Sequence, residues 1–160
     1  MSDIPAPQVF SQLLKVARDI WPFPNEPLDM GIECGLVWAV ARGVGAGVNG
    51  YVLIPAEGHP WSAEFPDEDH WREPDVHGGV TCMQHPWLGF DTNHAWDYWP
   101  PEYDPYGQCS IYRGSWGADN MLKYWTVDKV AAEAKYLAAL VAAVGLRAAK
   151  ADLTIEEREL

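Results

Sequence analysis

The spacing of apolar residues divides the chain into segments of different period. From Pro7 to Ile20, Val9, Leu13, Val16 and Ile20 recur at steps of four, three and four. That is one face of a helix, and Trp21-Pro22 ends it. A first helix is predicted there, with this stripe as its packing face. Residues 22–31 carry three prolines and two acids and read as a connector. Cys34 to Arg42 and Gly50 to Pro55 are short apolar runs rich in Val, Trp and Tyr, separated by the glycine-rich stretch Gly43 to Asn49. With Asn49-Gly50 as a turn signal, they predict two strands of a hairpin. Gly43, Gly45 and Gly47 also suggest a phosphate-cradling loop, but no Lys-Ser/Thr and no helix follow them, so a hairpin tip is the better reading.

After a polar loop from Ala56 to Val76, Gly79 to Met83 and Trp87 to Asp91 read as two further strands and Ile111 to Arg113 as a fifth. Residues 98–110 hold three prolines and a glycine and are expected to be loop. The last element has the strongest period: Val127, Val130, Ala134, Leu137, Val141 and Val144 alternate steps of three and four. Thr126 is placed to cap it, and Asp128 complements its dipole. The predicted fold is α+β, a mostly antiparallel sheet of four to five strands packed by a long C-terminal helix and a shorter N-terminal one. A chain of 160 residues supports one core, so residues 1–160 are expected to form a single domain. It divides into an N-terminal helix and connector (1–30), the sheet with its loops (31–125), the C-terminal helix (126–150) and a polar tail (151–160).

Charge changes the picture more than composition does. The formal net charge is −12, and the eleven Lys and Arg form no basic run. A surface that tracks nucleic acid phosphates is therefore not expected, although an acidic face can mimic nucleic acid to a host DNA-binding protein. No run approaches the roughly 18–20 apolar residues of a membrane span, and Met1-Ser2-Asp3-Ile4-Pro5 is no basic leader, so a cytoplasmic protein is expected. Cys34, Cys82 and Cys109 are odd in number and far apart, which predicts buried thiols rather than disulfides or a cysteine zinc site.

The charge is concentrated. Between Glu57 and Asp104 eleven acids face one base, Arg72, and the same segment holds all five histidines and five of the nine tryptophans. Chemistry is expected there. In Gly89-Phe90-Asp91-Thr92-Asn93-His94-Ala95-Trp96-Asp97, the residues Asp91, His94 and Asp97 stand three apart at the end of a strand, where imidazole and carboxylate can meet if the chain turns helical. Such a set can bind a divalent metal or orient a histidine for proton transfer. The plainer alternative is a cap, with His94 bonded to a neighbouring carbonyl. In Asp75-Val76-His77-Gly78-Gly79-Val80-Thr81, two glycines after a histidine permit a ligand to approach the main chain; the alternative is a strand-entry turn.

His59, in Gly58-His59-Pro60-Trp61, is expected beside His77 if the strand before it neighbours the strand after Gly79. His70 and His85 are expected at the surface or in loops. Trp61, Trp71, Trp87, Trp96, Trp99, Tyr98 and Tyr103 belong either to the core or to the rim of a groove able to stack a purine-like ring.

Several blocks in order resemble a family of small uncharacterised proteins from phages and prophage-like regions. They are Gly50-Tyr51-Val52, Gly58-His59-Pro60, Val76-His77-Gly78-Gly79-Val80-Thr81, Gly89-Phe90-Asp91-x-x-His94-x-x-Asp97, and Tyr124-x-Thr126 leading into Val130, Glu133 and Leu137. The resemblance spans roughly residues 33–140, and the chain departs from it in its Trp- and Pro-rich residues 95–118. It implies a mobile genetic element as the setting and brings no activity with it.

The leading expectation is a small hydrolase of a phosphodiester or nucleotide-derived molecule, a host immune signal in a phage setting. His77, His94, Asp91 and Asp97 are its catalytic candidates and His77, Asp91 and His94 the ligands of a divalent metal. His59, Gly78, Gly79, Thr81 and Trp96 are the expected ligand contacts. The alternative is a sponge that binds the same nucleotide-like ligand without cleaving it. A −10 segment opposes a phosphorylated ligand unless a metal, one of Arg72, Arg113 and Lys123, or protonated histidines compensate. The third is an inhibitor that meets a host protein through acids such as Asp67, Glu68 and Asp69.

Overall fold

The computed structural model describes residues 6–66, 74–94, 96–107 and 122–156. The expected strand at 111–113 lies outside them, as do Asp67, Glu68, Asp69, His70, Trp71, Arg72, Cys109 and Arg113.

The fold is α+β. Five antiparallel strands, β1 (Pro27–Glu33), β2 (Leu36–Arg42), β3 (Val48–Leu53), β4 (Cys82–Gln84) and β5 (Trp87–Phe90), form one sheet in the order β1-β2-β3-β5-β4. Helix α1 (Ala6–Asp19) lies against one face and helix α2 (Val127–Glu156) against the other. Strand alternation sorts the core. Trp38, Val40, Val48, Val52, Leu88 and Phe90 turn towards α2 and meet Val130, Ala134, Leu137 and Val141. Val37, Ala39, Ala41, Tyr51 and Trp87 turn the other way, towards Ala17, Leu14, Trp21 and Phe23. Because β2 is buried on both faces, it reads as an unbroken apolar run.

Four details differ from the expected layout. Strand β1 was hidden as a connector: it is a half-exposed edge strand with a proline and two acids, features that suit an edge and remove the apolar alternation. The expected β2–β3 hairpin is present with its tip at residues 43–47, but Asn49 and Gly50 lie within β3, where Phe90 and Ala134 occupy the space a Cβ on Gly50 would need. A further turn, Cys34-Gly35, joins β1 to β2 with both residues at positive φ and leaves the Cys34 thiol exposed rather than buried. Cys82 is half-buried, and burial followed by the Asp91 carboxylate pushes its thiol pKa up.

The helices also carry a correction. On α1 the stripe Val9, Leu13, Val16 and Ile20 is exposed, and the adjacent stripe, through Leu14, Ala17 and the following Trp21, covers the sheet. Helix α2 begins as expected, with Thr126 Oγ1 accepting the Lys129 N–H at 3.2 Å, and its apolar stripe lies on the sheet. It continues to Glu156, six residues into what was expected to be a polar tail. Among the described residues no helix is long and apolar enough to cross a membrane.

A second, two-stranded sheet pairs β6 (Asp97–Tyr98) in parallel with β7 (Lys123–Tyr124), so residue 98 is strand rather than loop, and Pro101–Tyr103 makes a single 3-10 turn. The small sheet matters because it fixes Asp97 beside the entry to α2.

Candidate functional site

The Gly89–Asp97 segment leaves the main sheet at Phe90 and folds into consecutive turns rather than a helix. Asp91 Oδ1 accepts the Asn93 N–H at 3.0 Å, which starts the turn. Thr92 is fully buried, its hydroxyl donating to the Val48 carbonyl at 2.7 Å, and this pins the segment to the sheet. His94 and Asp97 then close on each other: the Asp97 N–H donates to the His94 carbonyl at 3.0 Å, and the His94 N–H donates to Asp97 Oδ2 at 2.9 Å. The cap alternative is thus partly realised, with the carboxylate, rather than a carbonyl, as partner of the histidine.

The β6–β7 pairing brings Trp125 to the same carboxylate. Its main-chain N–H donates to the Tyr98 carbonyl at 3.0 Å and its indole N–H to Asp97 Oδ1 at 2.6 Å. His77 arrives from a different turn, in which the Gly79 N–H donates to the Val76 carbonyl at 2.9 Å and the His77 N–H to Glu133 Oε1 of α2 at 2.8 Å. Its Nε2 lies 2.8 Å from Asp97 Oδ1 and 3.0 Å from Oδ2. His94 Nδ1 lies 2.8 Å from Oδ2.

Asp97 is therefore the centre. It is 1% exposed, yet it receives two imidazoles, an indole N–H and a main-chain N–H. Burial alone raises its pKa; the bonds from His77, Trp125 and His94 outweigh burial and bring it down to about 2. The imidazoles are edge-to-face, 5.0 Å between centroids, and both reach solvent, with side-chain exposures of 21% for His77 and 35% for His94. His77 also stacks edge-on against Trp125 at 4.8 Å. One ligand atom from each of His77, His94 and Asp97 falls within a 4.8 Å span, so these three side chains can hold a metal ion. Asp91 stands at the edge of the group, its Oδ1 3.7 Å from His94 Nε2.

The remaining candidates have other tasks. Gly78 and Gly79 both adopt positive φ, and the space a Gly78 Cβ would need is taken by Cε1 and Nε2 of the His94 ring. Gly78 is thus a seat for His94. The Gly79 amide already donates to Val76. Thr81 Oγ1 accepts the Asp91 N–H at 2.9 Å, and its own N–H donates to Gly89. Trp96 is 44% exposed, whereas Trp87 and Trp99 are core.

His59 does not join His77, because β3 neighbours β5 rather than the strand after Gly79. Its Nε2 sits 2.9 Å from the Val141 carbonyl of α2, and its Nδ1 accepts the Trp61 N–H at 3.1 Å. His85 is exposed, with Nε2 3.1 Å from the Trp61 carbonyl. Trp125 and Glu133 were not among the candidates. Trp125 looks like core until β6–β7 is known; Glu133 lies next to the apolar stripe of α2, the only hint that it turns inward.

A cavity of about 570 Å³ lies elsewhere, between the Pro60-Trp61 loop and Leu140, Val144 and Arg147 of α2. Its walls are mostly apolar, and the chemistry-bearing side chains are not in it. Compared with known proteins, the chain matches no family model, no curated protein and no solved structure. The meaning of the site therefore rests on its own geometry.

Proposed function

We propose that this chain is a small hydrolase acting on a phosphodiester or other nucleotide-derived small molecule. The observation that supports this is the buried Asp97 carboxylate bonded to two imidazoles that both reach solvent. A buried carboxylate that only closed a turn needs the His94 amide and no second histidine from 20 residues away. Paired imidazoles on one carboxylate can instead take a proton from water as its oxygen bonds to phosphorus, and return one to the oxygen that leaves as the P–O bond breaks. The carboxylate orients both rings and stabilises the imidazolium formed. A cation held by the same three residues would activate the water instead. Lys123, its Nζ 4.2 Å from the Trp125 ring centroid, supplies positive charge beside the site for an anionic substrate.

The resemblance to phage proteins extends the proposal to a host immune signal as substrate, met in the host cytoplasm as a counter-defence. The second reading is a sponge for the same ligand. Half-exposed Trp96 favours it, because an indole can stack on a base. Against it, the Gly79 amide and the Thr81 hydroxyl, two of the expected ligand contacts, are already bonded within the chain.

Incubation with cyclic dinucleotides and ADP-ribose derivatives, followed by chromatography before and after denaturing the protein, separates the readings. A new product peak, lost in His94→Ala while the circular dichroism spectrum is unchanged, is the expected result. A ligand that disappears and returns intact on denaturation makes the protein a sponge. No change with any ligand overturns both and leaves binding of a host protein through Asp67, Glu68 and Asp69.

A further inference from the structure

His94 lies between two carboxylates that a neutral ring cannot satisfy together. Nδ1 is 2.8 Å from Asp97 Oδ2, and Nε2 is 3.7 Å from Asp91 Oδ1. A neutral imidazole carries one N–H and one lone pair, so donation to Asp97 turns a lone pair towards the Asp91 carboxylate. Asp97 is equally crowded. It has about four lone-pair directions, and the Trp125 indole, the His94 amide and the two imidazoles take them all.

We propose that His77 Nε2, His94 Nδ1 and a carboxylate oxygen of Asp97 form a binding site for a divalent transition-metal ion, with Asp91 as the residue that positions His94. Each imidazole then offers the ion a lone pair where it now faces Asp97. His94 keeps its single proton on Nε2 and turns it towards Asp91, 3.7 Å away, so the ring meets both neighbours without a second proton once that gap closes. A carboxylate behind the non-ligating nitrogen is the usual support of a metal-bound histidine, fixing its tautomer and raising its basicity. Trp125 and the His94 amide stay on Asp97 and hold the carboxylate in place, as Glu133 holds the His77 main chain.

The three ligand atoms lie within 4.8 Å of one another, and metal–ligand bonds of about 2.0–2.2 Å hold two ligand atoms at most about 4.4 Å apart, so the two solvent-reaching rings draw inward by a small movement to bind the ion. Two imidazole nitrogens and one carboxylate oxygen favour zinc and its first-row neighbours over magnesium or calcium, which prefer oxygen ligands. Three protein ligands leave a position for water, and the ion offsets the acidity that an anionic substrate must enter. The inference deepens the hydrolytic proposal and rests on it only for the use made of that water.

The test uses the full chain, stripped with a chelator and dialysed against Zn²⁺ or Co²⁺. Uptake of one ion per chain is expected, with visible Co²⁺ absorption bands of a nitrogen–oxygen site. His94→Ala and Asp97→Asn should each weaken binding by more than about 100-fold, and Asp91→Asn by about 10–100-fold. His85→Ala should bind as wild type does. Circular dichroism checks each fold; if Asp97→Asn fails to fold, His94→Ala, whose ring reaches solvent, still decides. No uptake, or uptake that survives His94→Ala, overturns the site, and wild-type affinity in Asp91→Asn overturns the positioning role. If the ion binds but no nucleotide in the panel is converted, the hydrolytic proposal falls and the site stands. Conversion at full rate by the chelator-stripped protein leaves the hydrolytic proposal standing and overturns the use of a metal-bound water.

Discussion

His59 and His94 belong to the same acidic segment and both have partners for their two ring nitrogens, yet their surroundings differ in kind. The His59 partners are main-chain groups, the Val141 carbonyl and the Trp61 N–H, which satisfy one neutral tautomer completely. The ring also fits against Gly145, where a Cβ would stand 2.9 Å from its Cδ2. His94 has a carboxylate on each side, and no single neutral tautomer suits both. A histidine that fastens a loop to a helix is complete in the folded chain; one held between carboxylates is complete only with a further proton or a cation. Under the hydrolytic proposal, that difference, rather than the number of histidines, separates a structural histidine from a chemical one.

The sharpest break of the comparison is Asp97→Ala. It leaves the enclosed Trp125 indole and the His94 amide without an acceptor, and an unpaired buried donor costs about 1–3 kcal/mol. A loss of roughly 3 kcal/mol in urea unfolding is expected, together with loss of turnover. His94→Ala should reverse that balance: turnover falls by about 10²–10⁴-fold while the unfolding midpoint barely moves, because its ring is partly solvated. His59→Ala should do the opposite, costing about 1–2 kcal/mol of stability and leaving turnover unchanged. If His59→Ala abolishes turnover with the fold intact, the distinction drawn between the two histidines is wrong.

A smaller effect is expected in acid. The Asp97 pKa is lowered from 3.8 to about 2 in the folded protein, so its contribution to stability is complete above about pH 4, fades as the pH falls and is gone below about pH 2. Unfolding measured with chelator present should show this decline in wild type and in His59→Ala, and a flatter curve in Asp97→Asn. The least effect belongs to α1: Leu13→Gln on the exposed stripe should change stability by no more than about 0.5 kcal/mol, whereas a large loss would mean that this stripe is covered.

The apolar pattern was enough for α2 and for strands β2, β3 and β5, because burial on one face imposes a repeat and burial on both an unbroken apolar run, and Thr126 marked the start of α2 as a cap. The segment holding His77, His94 and Asp97 also stood out, because all five histidines and eleven acids fall between Glu57 and Asp104. Edge strand β1 was not visible, because a strand with one neighbour and a wet face need not alternate. Nor was the buried side of α1: two apolar stripes lie side by side, and only the shape of the sheet selects Leu14 and Ala17 over Leu13 and Val16.

The convergence of His77 and Trp125 on Asp97 belongs to the tertiary structure. The three-residue spacing of Asp91, His94 and Asp97 already allowed imidazole and carboxylate to meet, and the turn puts His94 between them, bonded to Asp97 and 3.7 Å from Asp91. Strand β7, 26 residues beyond Asp97 in the β6 pairing, then brings in Trp125, and α2 brings in Glu133. Local sequence determined which residue types are present and which stretches repeat. That His77 rather than His59 joins Asp97 depends on strand order and main-chain hydrogen bonds between segments far apart in the chain, and local spacing carries no record of these.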